Sequence, residues 1–247
     1  MAMGMFTGIP LPFYIWDEGL TKAMIASLPL IGMIVGLVWW VISLAFVHFE
    51  LPIMMGAALL AIIPFLLTGF IHLDGYMDTS DALLSRRDLA ERIRILKEPT
   101  VGAYAVVMLA ILFMLQFAAA YTLLNGGRYL ALLIPICVIS RSVAALSMFE
   151  LRYMKECNYS GLIDSSVGVK YKIFVILFIC GAVLMSVFYA GLIGALVSLA
   201  AIVGYACAMR VVYKSFGGIL GDLLGYSTVI SELCGLVALA MMQGAWI

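Results

Sequence analysis

Gly69-Phe70-Ile71-His72-Leu73-Asp74-Gly75-Tyr76-Met77-Asp78-Thr79-Ser80-Asp81 sets three carboxylates and an imidazole at the mouth of an apolar run. Written as a helix, the segment carries Asp78 four residues after Asp74 and Asp81 three after Asp78. At ~100° per residue the three carboxylates fall within roughly 60° on one face. Three like charges so close repel one another unless a cation sits among them. A hard divalent ion is the natural candidate, since Mg²⁺ typically keeps several waters, one or two carboxylates and a substrate phosphate. The bland alternative is a helix end that emerges into water among acidic residues. Three features weigh against it: the single face, Gly75 offering close backbone approach, and the position at the lip of a span, where ionisable groups are costly.

The 247 residues are 65% hydrophobic and only 11% charged, against about 25% charged in soluble domains. With a mean hydropathy of +1.16, the chain has more apolar surface than one soluble core buries. It reads as an all-α integral membrane protein. Net charge is zero, which leaves no basic surface for nucleic acid. The five cysteines (Cys137, Cys157, Cys180, Cys207 and Cys234) stand singly without a C-x-x-C, so neither a disulfide framework nor a zinc site is expected. The N-terminus lacks a basic run, and Pro10 and Pro12 interrupt it, so it does not read as a cleaved signal peptide.

Runs long enough to cross a hydrocarbon core of ~30 Å lie at about 23–47, 51–72, 102–124, 129–149, 171–189, 191–209 and 229–247. That makes about seven spans (six to eight) in one polytopic domain over 1–247, with almost nothing joining the two on either side of Gly191. Residues 1–21 read as an interfacial lead-in with Trp16 near the headgroups. Pro29, Pro64 and Pro135 fall inside spans, which is tolerated where neighbours satisfy the freed backbone groups. Of fourteen Lys and Arg, twelve fall on one side, Arg128 on the other and Arg141 within a span. The positive-inside bias then places 73–101, 150–170 and 210–228 in the cytoplasm, with the N-terminus inside. Thirteen of the fourteen acids share that face; Glu50 alone does not. Residues 88–97 alternate at helical spacing, with Leu89, Ile93 and Leu96 on one stripe. They suit an amphipathic helix on the membrane surface or a connector packed on its own protein.

A second polar stretch, Gly217-Gly218-Ile219-Leu220-Gly221-Asp222-Leu223-Leu224-Gly225, falls on the same face. Consecutive glycines let backbone N–H groups converge around an anion, and Asp222 offers another metal ligand; a flexible turn is the competing reading. Glu232 is expected near the start of the last helix, as a ligand or as an acid favoured by the helix dipole. Arg141, after Ser140 inside an apolar run, needs an anionic partner or must snorkel. Lys97 closes the surface helix as a phosphate contact or an ordinary interfacial lysine. His72 would orient a carboxylate, ligate the metal, act as general base, or serve only as a hydrogen-bonded structural residue. Carboxylates, a hard metal, a glycine loop and cations at a membrane surface suit phosphoryl transfer, with the metal on phosphate oxygens.

The run His72-Leu73-Asp74-Gly75-x-x-Asp78-Thr79-x-Asp81, with Gly217-Gly218-x-x-Gly221-Asp222-x-x-Gly225 and Glu232, resembles the signatures of the cobalamin synthase (adenosylcobinamide-GDP ribazoletransferase) family. Pro10 and Pro12, Pro29-Leu30-Ile31-Gly32 with Gly36, Lys97 with Gly102, and Ser140-Arg141 match in order over nearly the whole chain. The resemblance implies an Mg²⁺-dependent membrane enzyme that joins α-ribazole, or its 5′-phosphate, to adenosylcobinamide-GDP and releases GMP. Asp74, Asp78, Asp81, Asp222 and Glu232 would then be metal ligands, and His72, Asp78 and Asp222 catalytic. Lys97, Arg141, Gly217, Gly218 and Gly221 would hold phosphate, and an apolar cavity between spans would receive the corrinoid. Partners would be the two substrates and the lipid bilayer; self-association or association with other enzymes acting on corrinoids stays open. Glu98-Pro99-Thr100 replaces the family's acidic residue, Ser and Arg, which shifts phosphate clamping to Lys97 or Arg141. Leu223 stands where the family favours Thr. The competing functions are a CDP-alcohol phosphotransferase, whose D-x-x-D-G motif is absent, and a cation-coupled transporter, which expects inverted repeats and midplane charge.

Overall fold

A computed structural model describes residues 1–10, 12, 17–154 and 168–244. The readings placed on Trp16, Lys155, Cys157 and the last three residues lie outside them. Among the described residues ten α-helices follow in order. The first six are α1 (Ala2–Phe6), α2 (Thr21–Ala26), α3 (Leu28–His48), α4 (Ile53–Leu67), α5 (Ile71–Leu84) and α6 (Leu89–Leu96). After them come α7 (Ala103–Gly126), α8 (Leu133–Glu150), α9 (Val169–Phe216) and α10 (Gly221–Gly244). Outside the helices, Tyr153 and Ile219 form an isolated parallel bridge. Five of the helices are long and apolar enough to cross a membrane, six if the bent pair α4–α5 counts as one span. This is the make-up of a multi-pass membrane protein.

The expected span 51–72 does not end at residue 72. It bends by 95° between α4 and α5, where Gly69 (φ +60°) and Phe70 (φ +63°) are both left-handed. Pro64, which lacks an N–H, leaves the Leu60 carbonyl without its helical donor. The indole Nε1–H of the fully buried Trp39 donates to that carbonyl at 2.9 Å. The Gly8 amide donates to Leu67 O at 2.9 Å, satisfying a carbonyl at the open end of α4. The two limbs divide one neighbour between them. Gly56 of α4 abuts Leu124, Phe65 packs edge-on to Phe113, and the Tyr76 hydroxyl of α5 donates to Met108 O at 3.2 Å. Asp81 reaches Gly102, just ahead of α7, so the bent pair runs the length of α7.

Helix α9 is 48 residues long but holds a non-helical Gly191 (φ 56°, ψ −128°). In a straight helix Ser186 and Gly194 would stand ~12 Å apart. Instead a Cβ on Gly194 would run into the Ser186 carbonyl. The chain therefore reverses at Gly191, and limbs 169–190 and 192–216 form a hairpin, as the sequence boundary at 189–191 anticipates. Pro29 and Pro135 fall in the first turns of α3 and α8, where a missing N–H costs nothing; only Pro64 is interior.

Small residues set the helix spacing, since lipid tails give apolar side chains little reason to prefer each other. Gly36 of α3 lies so close to α8 that a Cβ would stand 2.7 Å from the Ile134 Cα. One end of the bundle gathers Asp81 with Gly102, the Lys172–Glu150 ion pair at 2.7 Å and the Tyr153–Ile219 bridge. At the other end Tyr129 meets Tyr189, and Gln243 donates to Leu123 O. Helix α6, capped by the Asp88 carboxylate accepting from Glu91 N, buries Leu96 and leaves Leu89 exposed. Its Arg92 donates to Ser215 O at 3.4 Å, so it packs at least partly on its own protein. Arg94 pairs with Glu91 and Glu98, and its guanidinium holds the Glu91 carboxyl below the usual range.

Candidate active site

The acidic helix and the second glycine stretch meet. A Cβ on Gly75 would stand 2.8 Å from both the Cα and the carbonyl oxygen of Asp222, and one on Gly225 would stand 3.3 Å from the His72 Cα. Two glycines from separate helices thus let α5 and α10 touch backbone to backbone. Tyr76 and Tyr226 stack over the same contact with ring centroids 5.5 Å apart. The carboxylate of Asp78 comes within electrostatic reach of Asp74, Asp222 and Asp81, and Asp222 within reach of Asp74.

Each carboxylate has its own setting. Asp74 is exposed, and Asp78, Asp81 and Asp222 are half-buried. Asp81 leans on Gly102, where a Cβ would collide with its carboxylate. Gly102 is the N-cap of α7, so Asp81 sits at the positive end of that helix dipole. No ion pair is formed by Asp74, Asp78 or Asp222 among the described residues. Nor do three His, Cys, Asp or Glu side chains there converge closely enough to hold one ion by themselves.

Glu232 is placed differently from expectation. Helix α10 begins at Gly221, eight residues before the expected span, so Asp222 and Gly225 are helical and Glu232 lies well inside. Of the glycines that read as loop, Gly225 is there for close packing against α5. The Glu232 carboxylate, 3% exposed, accepts from Arg141 Nη1 and, at 2.8 Å, from the Ser140 hydroxyl. It is the partner that Arg141 needed. The same Nη1 also donates to Cys137 O at 3.3 Å, while Arg141 Nε is buried without an acceptor.

The glycine stretch leaves little backbone free to cradle an anion. Gly217 is left-handed (φ +74°) and caps α9, with its amide donated to Tyr213 O. Gly218 packs on Met154, and the Ile219 amide donates to Arg152 O at 2.9 Å. The backbone there is committed to the 152–154 segment. Gly221 has nothing within 4 Å of a Cβ position, leaving open space at the start of α10. Lys97 is exposed at the end of α6, five residues before Gly102.

Between these helices lies a cavity of about 280 Å³, lined by His72, Arg141, Asp222 and Thr228 with apolar side chains from α1, α2 and α8. The His72 Nδ1 is buried and has no hydrogen-bond partner. Sequence reasoning missed the walls supplied by Met5, Phe6, Thr21 and Met24. The N-terminal stretch read as interfacial, and only Gly8, which packs on Gly69, hints that it turns inward.

The family model described as cobalamin-5-phosphate synthase matches residues 1–240. An adenosylcobinamide-GDP ribazoletransferase of Clostridium botulinum (strain Alaska E43 / Type E3) is 38% identical over 238 residues, covering 96% of this chain and 94% of that protein. One from Clostridium perfringens (strain SM101 / Type A) is 35% identical over 244 residues, 98% of this chain and 96% of its own length. The Geobacillus kaustophilus (strain HTA426) protein of the same name is 30% identical over 234 residues, 91% and 88% of the two chains. No solved structure matches. On the strength of these matches along its whole length, the chain belongs to the cobalamin-5-phosphate synthase family.

Proposed function

We propose that the protein joins adenosylcobinamide-GDP to α-ribazole or α-ribazole 5′-phosphate at this pocket, releasing GMP, with Mg²⁺ as its resident ion. The observation that carries the reading is the glycine contact of α5 with α10, which brings Asp222 to the face of Asp74 and Asp78. The donor set fits a hard cation that takes part of its shell from the protein and the rest from diphosphate oxygens and water. An Mg²⁺ ion held by these carboxylates would supply the positive charge that diphosphate cleavage calls for. Asp78 and Asp222 are the ligands we assign, with Asp74 adding negative charge beside them. Asp81 holds the start of α7 and extends the negative face, and Glu232 acts through Arg141.

His72 is the candidate base. Its unpartnered Nδ1 would accept the proton of a ribazole hydroxyl. That oxygen forms a bond to the phosphorus nearer the cobinamide, and the bond to GMP breaks with its electron pair leaving on GMP. Arg141, fixed by Glu232, and Lys97 supply positive charge around the substrates, and the open start of α10 at Gly221 supplies backbone donors for phosphate oxygens.

In the membrane we assign seven passes: α3, the bent pair α4–α5, α7, α8, the two limbs of α9, and α10. They form a single polytopic domain in the cell membrane. The lysines and arginines near residues 73–101 and 210–228 support a cytoplasmic site and N-terminus. The test is to incubate the purified, detergent-solubilised protein with both substrates and Mg²⁺, following GMP release and phosphodiester formation together. Both are expected to vanish in Asp78→Asn and with EDTA. Activity surviving both would refute the mechanism.

A further inference from the structure

We infer that the cavity beside His72 seats the aromatic base of the ribazole and excludes the corrinoid, with the Arg141 Nε–H donating to the ring nitrogen of that base. The inference rests on the proposed reaction and says which substrate goes where. Size is the first argument. The cavity of about 280 Å³ lies at the small end of ligand pockets, which run to about 300–1,000 Å³. That suits two fused rings with part of a sugar; a corrin macrocycle with its amide arms is several times larger.

Chemistry is the second argument. Met5, Met24 and Met148 reach the cavity from α1, α2 and α8. Thioethers adapt to, and contact favourably, a flat ring. An N-glycosylated benzimidazole has no N–H but keeps one ring nitrogen with a free lone pair. Arg141, in the cavity wall, is 1% exposed and has an Nε–H with no acceptor in the protein. Buried donors are nearly always paired, so this one calls for an acceptor from a ligand. Position is the third argument. Asp222 belongs both to the cavity wall and to the acidic face, so a sugar attached to the seated base lies beside His72 and the diphosphate. The corrinoid then stays outside, with only its diphosphate drawn in.

Ala144 is buried in the cavity wall, and Ala144→Leu would fill the space. The expected result is a KM for α-ribazole raised by about tenfold or more, the scale of an overpacking penalty, with the KM for adenosylcobinamide-GDP within about twofold of the parent. Met148→Ala enlarges the same wall and should improve use of a ribazole analogue bearing a third fused ring. The indole riboside, which lacks the acceptor nitrogen, should bind the unaltered protein about tenfold or more weakly than α-ribazole. Binding is read by equilibrium dialysis in detergent, which needs no turnover. If the unaltered protein releases no GMP, the proposed reaction fails; retained α-ribazole binding that Ala144→Leu abolishes still supports the pocket. Failure of α-ribazole to bind, a KM change falling on adenosylcobinamide-GDP, an Ala144→Leu protein with neither constant moved, or equal binding of the indole riboside would overturn the inference. Should Ala144→Leu fail to fold, the enlarged Met148→Ala pocket and the indole riboside still decide it.

Discussion

Replacing Gly75 by alanine adds one methyl group, and the structure says where it goes. It would stand 2.8 Å from the Asp222 Cα and from its carbonyl oxygen, where ordinary carbon contacts are about 3.5–4.0 Å. Both obstacles are backbone, so no side chain can swing aside, and α5 must move off α10 by roughly 1 Å. Alanine's better helix propensity returns at most ~1 kcal/mol, while overpacking typically costs about 1–3 kcal/mol. The change in stability is therefore modest. The rate should suffer more, since a misplacement of ~1 Å can cost on the order of 100-fold. The assay is GMP release by protein matched for its unfolding temperature in detergent. Gly181→Ala is the control, because nothing lies within 4 Å of its Cβ position, and it should retain full activity. A Gly75→Ala enzyme within about twofold of the parent would refute the claim that this contact sets the distance between Asp78 and Asp222.

Glu232→Gln leaves Arg141 charged and buried. Breaking a buried pair from one side costs about 3–5 kcal/mol, seen as a large fall in thermal midpoint, and Arg141→Met/Glu232→Leu should recover most of that stability without recovering activity. Gly191→Ala forces a Cβ onto φ 56°, ψ −128°, a conformation open essentially to glycine alone. It should lose about 1–3 kcal/mol of stability while the folded fraction keeps its turnover, measured by denaturation and by rate per folded molecule. Gly102→Ala meets the Asp81 carboxylate first, a side chain able to rotate. It should lower GMP release less than Gly75→Ala does.

What the sequence discloses is periodic or local. Asp74, Asp78 and Asp81 share a face because their spacing is helical, and the same arithmetic holds in α5. The break at Gly191 is legible because two apolar runs adjoin there without a polar link. The partner of Glu232 is not legible, since Arg141 lies 91 residues away and only packing of α8 on α10 brings them together. Glycine misleads for a related reason. Gly221 and Gly225 read as a loop by propensity, yet both stand on α10, and at Gly225 the neighbouring α5 requires the missing side chain. The inward turn of the N-terminus hides in the same way, because hydrogen bonding of Gly8 to Leu67 depends on a bend 60 residues later. The left-handed Phe70 at that bend carries no marker in its residue type.

The central claim is that Asp78 of α5 and Asp222 of α10 serve one divalent ion on the substrate diphosphate. Mn²⁺ binding followed by electron paramagnetic resonance, in the presence of adenosylcobinamide-GDP, tests it most directly. The account predicts one site that is weakened by at least about tenfold in Asp78→Asn and likewise in Asp222→Asn, each change removing one carboxylate ligand. Unaltered Mn²⁺ affinity in Asp222→Asn, with loss only in Asp78→Asn, would contradict it.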